Sequence, residues 1–168
     1  QTFDINQYDT CLTLHFKNTI SMIRLCAKYL PKLLEGTANL VSQQEGGTYY
    51  PKRAEEDGIV YWEDSTMHIH NLVRAVTKPF PGAFSYLNDY PNKKVYIWKA
   101  QPFDAKLNYK ARPGEIVEVF YNGMFVVKTK NSTLLVTESE GYKFTEKDIG
   151  KFLGHLNFPR KKWKNLPG

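Results

Sequence analysis

The hydrophobic period of this chain changes once, at Lys78-Pro79-Phe80-Pro81-Gly82, and that change separates what can fold as helix from what can fold as sheet. Before it, apolar residues recur every three or four positions; after it, every second. Leu12, Phe16, Ile20, Ile23, Ala27, Leu30 and Leu34 make one stripe, which predicts a helix over 10–35 lying on a core. Asp9 or Thr10 can cap its start, and Gly36 suits the left-handed residue beyond its end. Pro31 is expected to kink or restart it. Ile69, Leu72, Val73 and Val76 predict a second helix over 65–77, with Asp64 or Ser65 as N-cap. The proline segment stops it, because proline lacks an amide hydrogen and forces its predecessor extended.

Beyond Gly82 the strand-like runs are Ala83–Leu87, Lys94–Ala100, Gly114–Phe120, Met124–Thr129 and Thr133–Glu138. Asn122-Gly123 is a strong hairpin turn signal. A short closing helix is expected from Thr145 to Leu153. Five short strands and a helix predict a small OB-like β-barrel. The fold class is therefore α+β. The first helix needs a surface to lie on, and no hydrophobic strand precedes it. Together with a start at Gln1-Thr2-Phe3-Asp4, this suggests a piece of a longer polypeptide.

Charge divides at the same place. Residues 1–78 hold 8 Lys/Arg and 9 Asp/Glu, net −1; residues 79–168 hold 15 and 8, net +7. The excess ends in Arg160-Lys161-Lys162-Trp163-Lys164, a pattern suited to an anionic partner or simply a solvated basic tail. Cys11 and Cys26 fall in one helical pattern roughly 22 Å apart, beyond disulfide reach. A reduced, cytoplasmic setting is the simplest expectation. No apolar run approaches a membrane span.

Catalytic chemistry is hard to find. His15 has no ligand-spaced neighbour, and His68 and His70, two apart on a helix, point to different sides. His155 lies in a loop near the basic tail. No nucleophile elbow, phosphate loop, dinucleotide fingerprint or zinc spacing occurs. The expected catalytic and metal-ligating residues in this chain are none. A binding constellation is present instead in "GTYYPKRAEEDGIVYW", residues 47–62. Tyr49 and Tyr50 offer ring faces and hydroxyls, and Lys52 and Arg53 offer donors matched to phosphate. Asn71 and Arg74, three apart, share one face of the second helix. The competing reading has Arg53 and Arg74 paired with the acids Glu55, Glu56 and Asp57, tying the loop to the helix.

That segment, followed by "IHNLVRAVTKPFPGAFSYLN" and "VYIWKA", resembles the folate-dependent formyltransferases, which act on methionyl-tRNA or on amino sugars attached to nucleotides. Upstream, "DTCLTLHFKNTISMIRLCAKYLPKLLEGTA" resembles the last helix of that family's Rossmann-like catalytic domain. Downstream, "RPGEIVEVFYNGMFVVKT" resembles strands of its OB-like C-terminal domain. The resemblance implies three parts: 1–62, the end of the catalytic domain with the substrate loop; 63–82, a helical linker; and 83–168, the OB-like domain.

It also implies transfer of a formyl group from 10-formyltetrahydrofolate to an amine, with an Asn, a His and an Asp as reacting residues. Those belong to a His-x-Ser-x-x-Pro segment and a later Asp that this chain lacks. Folate would then be bound mainly by the missing N-terminal catalytic part, and this chain alone is expected to be inactive. "HNLVRAVTKPFPGAFSYL" looks closer to the sugar-nucleotide members, especially the type acting on UDP-4-amino-4-deoxy-L-arabinose. The basic second half favours methionyl-tRNA. A non-catalytic OB-like nucleic-acid-binding module, stacking bases on Tyr96, Trp98 and Trp163, is the reading from another class. A homo-oligomer with residues 79–168 as the contact is a further expectation.

Overall fold

The computed structural model describes residues 1–42, 46–47, 50, 52–107, 109–156 and 160. Residues 1–53 belong to one compact unit and residues 54–160 to another.

The first unit is built on α1, Cys11–Leu34. Thr10 is its N-cap. The Thr13 amide donates to the Thr10 hydroxyl at 3.4 Å, and the Thr10 amide donates to the Thr13 hydroxyl at 2.9 Å. This reciprocal pairing satisfies two amides that the first turn would otherwise leave open. Asp9 reinforces it, accepting from the Asn6 amide at 2.8 Å and from Lys17 Nζ at 2.7 Å. The Lys17 hydrogen bond, the largest influence, helps to hold the Asp9 carboxyl at about 2. At the far end Gly36 takes φ +69°, and the Thr37 and Ala38 amides close on the Lys32 carbonyl. The helix runs through Pro31 to Leu34 without a restart, because a proline so near the end deprives it of a single amide.

The expected buried stripe of α1 is not buried. Phe16 is 54% exposed, Ile23 64% and Leu34 81%, and Leu12, Ile20 and Leu30 are exposed as well. The covered side carries Leu14, Lys17, Ser21 and Leu25 instead. Periodicity marks which face of a helix is apolar; burial also needs a surface to receive it.

The second unit is a curled antiparallel sheet of six strands, not five. They are β1 Ala83–Leu87, β2 Tyr90–Pro102, β3 Ile116–Val119, β4 Phe125–Lys128, β5 Thr133–Glu140 and β6 Leu153–Gly154, in the order β3-β4-β5-β2-β1-β6. The two edges are stitched together. The Ile116 amide donates to the Lys151 carbonyl at 2.9 Å, and the Leu153 and Gly150 amides donate to Gly114 and Ile116 at 2.8 Å. Gly114 permits this: a Cβ there would lie 2.4 Å from the Leu153 carbonyl oxygen, and its φ is +89°. The expected closing helix over 145–153 is a 3₁₀ turn, Glu146–Asp148, leading into β6. Gly150 at φ +86° and the edge pairing of Lys151 and Leu153 divert the chain into the sheet.

β2 is long enough to serve both neighbours. Its first part pairs with β1 and its last with β5, and register shifts around Trp98 let it coil between them. The Asn122-Gly123 signal holds: Gly123 has φ +84° and its amide donates to the Phe120 carbonyl, while the Phe120 amide donates to the Met124 carbonyl, each at 2.8 Å, closing β3 to β4. α2, Thr66–Val76, closes one side. Ser65 caps it by accepting from the His68 amide at 3.2 Å, and Asn131 accepts from the Thr66 amide at 3.0 Å. Its Ile69 and Val73 are buried with Trp62, Ile97, Phe125 and Leu134, and Leu72 and Val76 pack against them. Trp62 is 1% exposed, and its indole donates to Ser85 at 3.0 Å. The Ser85 hydroxyl donates in turn to the Gly154 carbonyl at 2.8 Å, so no buried polar group in that chain goes unmatched. No helix among the described residues is long and apolar enough to cross a membrane.

Candidate functional site

Tyr49 and Pro51, and Trp163 with the basic tail beyond Arg160, lie outside the described residues. Tyr50 is 68% exposed, and Lys52 and Arg53 are exposed. These three belong to the helical unit; Asn71 and Arg74 belong to the barrel unit. The helix brings Asn71 and Arg74 together as their spacing predicts, with Arg74 Nε donating to Asn71 Oδ1 at 2.9 Å. That bond helps to orient the guanidinium, which is partly buried.

Directly after Arg53 the chain is tightly held. The Ala54 amide donates to the Asp57 carboxylate at 2.7 Å and starts the 3₁₀ turn Glu55–Gly58. Gly58 presses on β1, where a Cβ would come 2.4 Å from the Gly82 carbonyl oxygen. Ile59 bridges Phe84, and the Val60 amide donates to the Phe84 carbonyl at 2.9 Å. Glu55 does not wait for an arginine: Lys94 Nζ reaches it at 2.5 Å and the Tyr96 hydroxyl at 3.1 Å. The lysine hydrogen bond first, then the tyrosine's, lowers the Glu55 carboxyl below its ordinary value. For Lys94, burial is the largest single influence and opposes the charge, but the bond to Glu55 together with the bond to Tyr96 and the charges of both partners outweighs it, and the ammonium is stabilised.

β2 carries Tyr96 and Trp98, named from the sequence only as stacking platforms of a nucleic-acid module, together with Lys94, which sequence reasoning left out. Lys94, Tyr96 and Trp98 alternate along the strand, so their side chains share one side. Tyr96 and Trp98 stack with planes 9° apart and centroids 5.7 Å apart. Trp98 lies over Gly82, where a Cβ would be 2.7 Å from the ring, and its Nε1 donates to Glu140 at 3.0 Å. Lys78 sits 4.7 Å from its centroid. The Lys-x-Tyr-x-Trp alternation was the legible signal; what it holds was not.

Three of the four histidines serve packing and pairing. His15 is exposed. His70 Nδ1 lies 2.9 Å from the Ala100 carbonyl, while His68 projects elsewhere with Nε2 3.6 Å from Asp64. His155 packs tilted against Tyr61 with centroids 4.6 Å apart, and Arg160 covers the same ring at 4.5 Å while pairing with Asp64 at 2.7 Å. Among the described residues no group of three or more His, Cys, Asp or Glu could hold a metal ion. Asp148 is buried. Burial opposes its ionisation, but hydrogen bonds from Lys151, the Thr145 amide and Tyr142 prevail and lower its carboxyl.

A broad open depression of about 530 Å³ lies along the β5 end, lined by Asn122, Gly123 and residues 137–144. Glu138 and Glu140 are on its lining, one paired with Lys99 at 2.7 Å and the other with the Trp98 indole.

Among solved structures, HypX from Aquifex aeolicus is similar in fold. A multiply substituted variant aligns at TM-score 0.64 with 22% identity over 83% of this chain and 24% of that one. A second variant aligns at 0.63, and HypX in complex with tetrahydrofolic acid at 0.59, each with 22% identity over 85% of this chain. This chain thus spans about a quarter of the HypX polypeptide. The model of the formyl transferase C-terminal domain matches residues 52–149, from the exposed Lys52-Arg53 pair through the clamped turn and α2 to the end of the 3₁₀ turn before β6. With more than half of its length matched, and the matched half being the curled sheet with its capping helix, the chain belongs to the formyl transferase C-terminal domain family.

Proposed function

We propose that this chain is the substrate-positioning part of a 10-formyltetrahydrofolate-dependent N-formyltransferase that acts on an amine carried by a sugar nucleotide. In this reading the curled sheet is an OB-like domain. α1 is the last helix of a Rossmann-like domain, and its exposed apolar stripe lies against the remainder of that domain. Residues 1–62, 63–82 and 83–168 are its working divisions. The observation that carries the reading is the family match over residues 52–149, which begins at the exposed Lys52-Arg53 pair. Lys52 and Arg53 would take the phosphates. Tyr49 and Tyr50 would meet the base or sugar, and the Arg74 guanidinium, oriented by Asn71, would bind a further anionic group.

The division of labour follows from the chemistry. Attack of an amine on a formyl carbon builds a tetrahedral oxyanion and needs the amine deprotonated, so placed donors and a base are required. Contacts to a remote nucleotide orient the amine, and orientation alone is worth several kcal/mol at the barrier (about 7–11 at the upper end). Folate supplies the formyl group. The broad, open depression beside β5 carries both signs of charge, Glu138 and Glu140 with Lys143, and Glu138 is already paired with Lys99. In this reading folate is bound mainly by the catalytic part outside this chain. HypX has been crystallised with tetrahydrofolic acid, which supports a folate link for the fold.

Arg53→Ala in the complete enzyme should raise KM for a UDP-linked amino sugar about tenfold with kcat little changed, as expected for loss of a ground-state phosphate contact. Unchanged KM and kcat/KM would remove the arginine from the substrate site. The net charge of +7 over residues 79–168 favours a second reading, formylation of methionyl-tRNA. Affinity for tRNA would fall steeply between roughly 50 and 200 mM salt, whereas a compact diphosphate would show a shallow slope. A free-standing nucleic-acid module is disfavoured: Lys78 covers Trp98, and the Trp98 indole and Tyr96 hydroxyl are taken by Glu140 and Glu55. Tight, salt-sensitive binding of generic RNA by the chain alone would restore that idea.

A further inference from the structure

β5 is longer than the strand that covers it. The β4 ladder ends where Phe125 meets Val136, so Thr137–Glu140 are matched on the β2 side alone. Residues 137–144 in unbroken succession line the open depression of about 530 Å³, together with Asn122 and Gly123 of the hairpin turn. Successive side chains of a strand point to opposite faces, so a hollow that all of them border runs along the strand's edge and not over a face. Its wall there is backbone. Alternate amides and carbonyls of a strand point to each side. Among the described residues, those of 137–140 bond to no turn or loop. An extended segment entering on the line of β4 would take the place that a longer β3–β4 hairpin would fill. The charges select its chemistry. Glu138 and Glu140 share one face of β5. Glu138 is paired with Lys99 at 2.7 Å, whereas the bond to Glu140 comes from the neutral Trp98 indole at 3.0 Å. Glu140 is thus the carboxylate whose charge is still to be matched. A second copy of this chain added antiparallel at the same edge would set these glutamates against their own copies, and like charges opposite one another destabilise a strand pair. Phe144, buried with its ring 4.0 Å from that of Phe125, makes the inner side of the hollow apolar. The edge suits a strand that is basic on one face and apolar on the other.

We propose that the open edge of β5 at Thr137–Glu140 is a docking site for an extended peptide segment of a partner protein, added as a further antiparallel strand with a Lys or Arg opposite Glu140. The site stands apart from the substrate reading of Lys52 and Arg53 and does not depend on it.

The test uses the full chain and synthetic peptides: acetyl-Val-Lys-Val-Lys-Val-amide, its counterpart with Glu in place of Lys, and the Lys peptide with its backbone amides methylated. Binding is read from backbone amide chemical shifts and hydrogen exchange. The Lys peptide should shift the amides of residues 137–142 with a Kd of about 1 mM or tighter. It should also slow exchange of the outward-facing amides about tenfold. The methylated peptide, which cannot join a ladder, should bind at least about tenfold more weakly, and so should the Glu peptide. Glu140→Lys, at an exposed position, should reverse the preference in favour of the Glu peptide, and Glu140→Gln should abolish the preference without reversing it. No shift at residues 137–142 with any peptide overturns the site. Equal binding of the methylated peptide means contact by charge alone and overturns strand addition. Equal binding of the Lys and Glu peptides by the unsubstituted chain overturns the basic partner. Self-association of the chain that shifts these same amides and excludes the Lys peptide places a second copy on the edge and overturns the proposal as well.

Discussion

α1 and α2 are amphipathic helices with the same kind of stripe and the same kind of cap, yet they end in opposite states. Ile69 and Val73 of α2 are each 1% exposed; Phe16 and Ile23 of α1 are more than half exposed. Thr10 and Ser65 cap them alike through a hydroxyl. The difference is the receiver. α2 is followed within a few residues by β1 and β2, whose inner face supplies Ala83, Leu87, Val95 and Ile97 to the same core. Its stripe is therefore used where it was made. α1 presents its apolar face with nothing among the described residues over it. A hydrophobic pattern is a statement of demand, and only packing shows whether it is met.

The largest effect expected from this contrast is on the barrel side. Trp62 fills the centre of the core and is 1% exposed, so Trp62→Ala should cost about 3–5 kcal/mol, enough to abolish cooperative unfolding of the barrel near room temperature. Urea titration followed by far-UV circular dichroism checks it. A loss under about 1 kcal/mol would mean the core is organised elsewhere. By contrast, Phe16→Ala should move the same transition by less than about 0.5 kcal/mol, because little area is uncovered.

The next effect turns the comparison into a test of what covers α1. Ile20→Asp should be nearly neutral in this chain, where Ile20 is 50% exposed. In a complete enzyme whose catalytic domain receives the stripe, the same change buries a charge and should cost about 3 kcal/mol or more. Equal, small losses in both settings would show that the stripe remains open to solvent. Ser85→Ala ranks lower. It strands the buried Trp62 indole hydrogen without an acceptor and should cost about 1–3 kcal/mol. Ser85→Thr should retain more of the bond than Ala, and stability equal to wild type in Ser85→Ala would mean the indole finds another acceptor.

How much of this was readable beforehand follows the same division. Both helices, their caps and the Asn122-Gly123 turn were legible because each is specified within a few residues. The third-strand hairpin needs only its own alternation and a glycine able to reach positive φ. The last segment was misread because "FTEKDIGKFL" has helix-forming residues and an acidic start. What turns it to strand is the remote edge of β3, which receives Lys151 and Leu153. Of the candidate site, the Asn71–Arg74 pair followed from i,i+3 spacing. The competing reading had Arg53 and Arg74 paired with the acids Glu55, Glu56 and Asp57, and for Glu55 the structure shows other partners. These are 39 and 41 residues away, and no local pattern could name them.

The smallest effect concerns the start of α1 and separates its local order from its unburied face. Asp9 is ionised well below its ordinary range, at about 2, through Lys17 first and the Asn6 amide next. A carboxyl whose folded pKa is depressed contributes stability that is complete above its unfolded value, roughly 3.9, and is lost as pH falls through the folded one. The α1 start should therefore hold at pH 5 and loosen between about pH 4 and 2, with amide exchange at Thr13 and Leu14 rising first. Asp9→Asn should remove that step, since an amide cannot titrate, while leaving acid loosening around Asp148 in the barrel in place. If the Thr13 amide exchanges at the same rate at pH 2.5 and pH 5, after correction for intrinsic chemistry, the Lys17 pair contributes nothing to the cap. α1 would then depend on Thr10 and Thr13 alone for its order at that end.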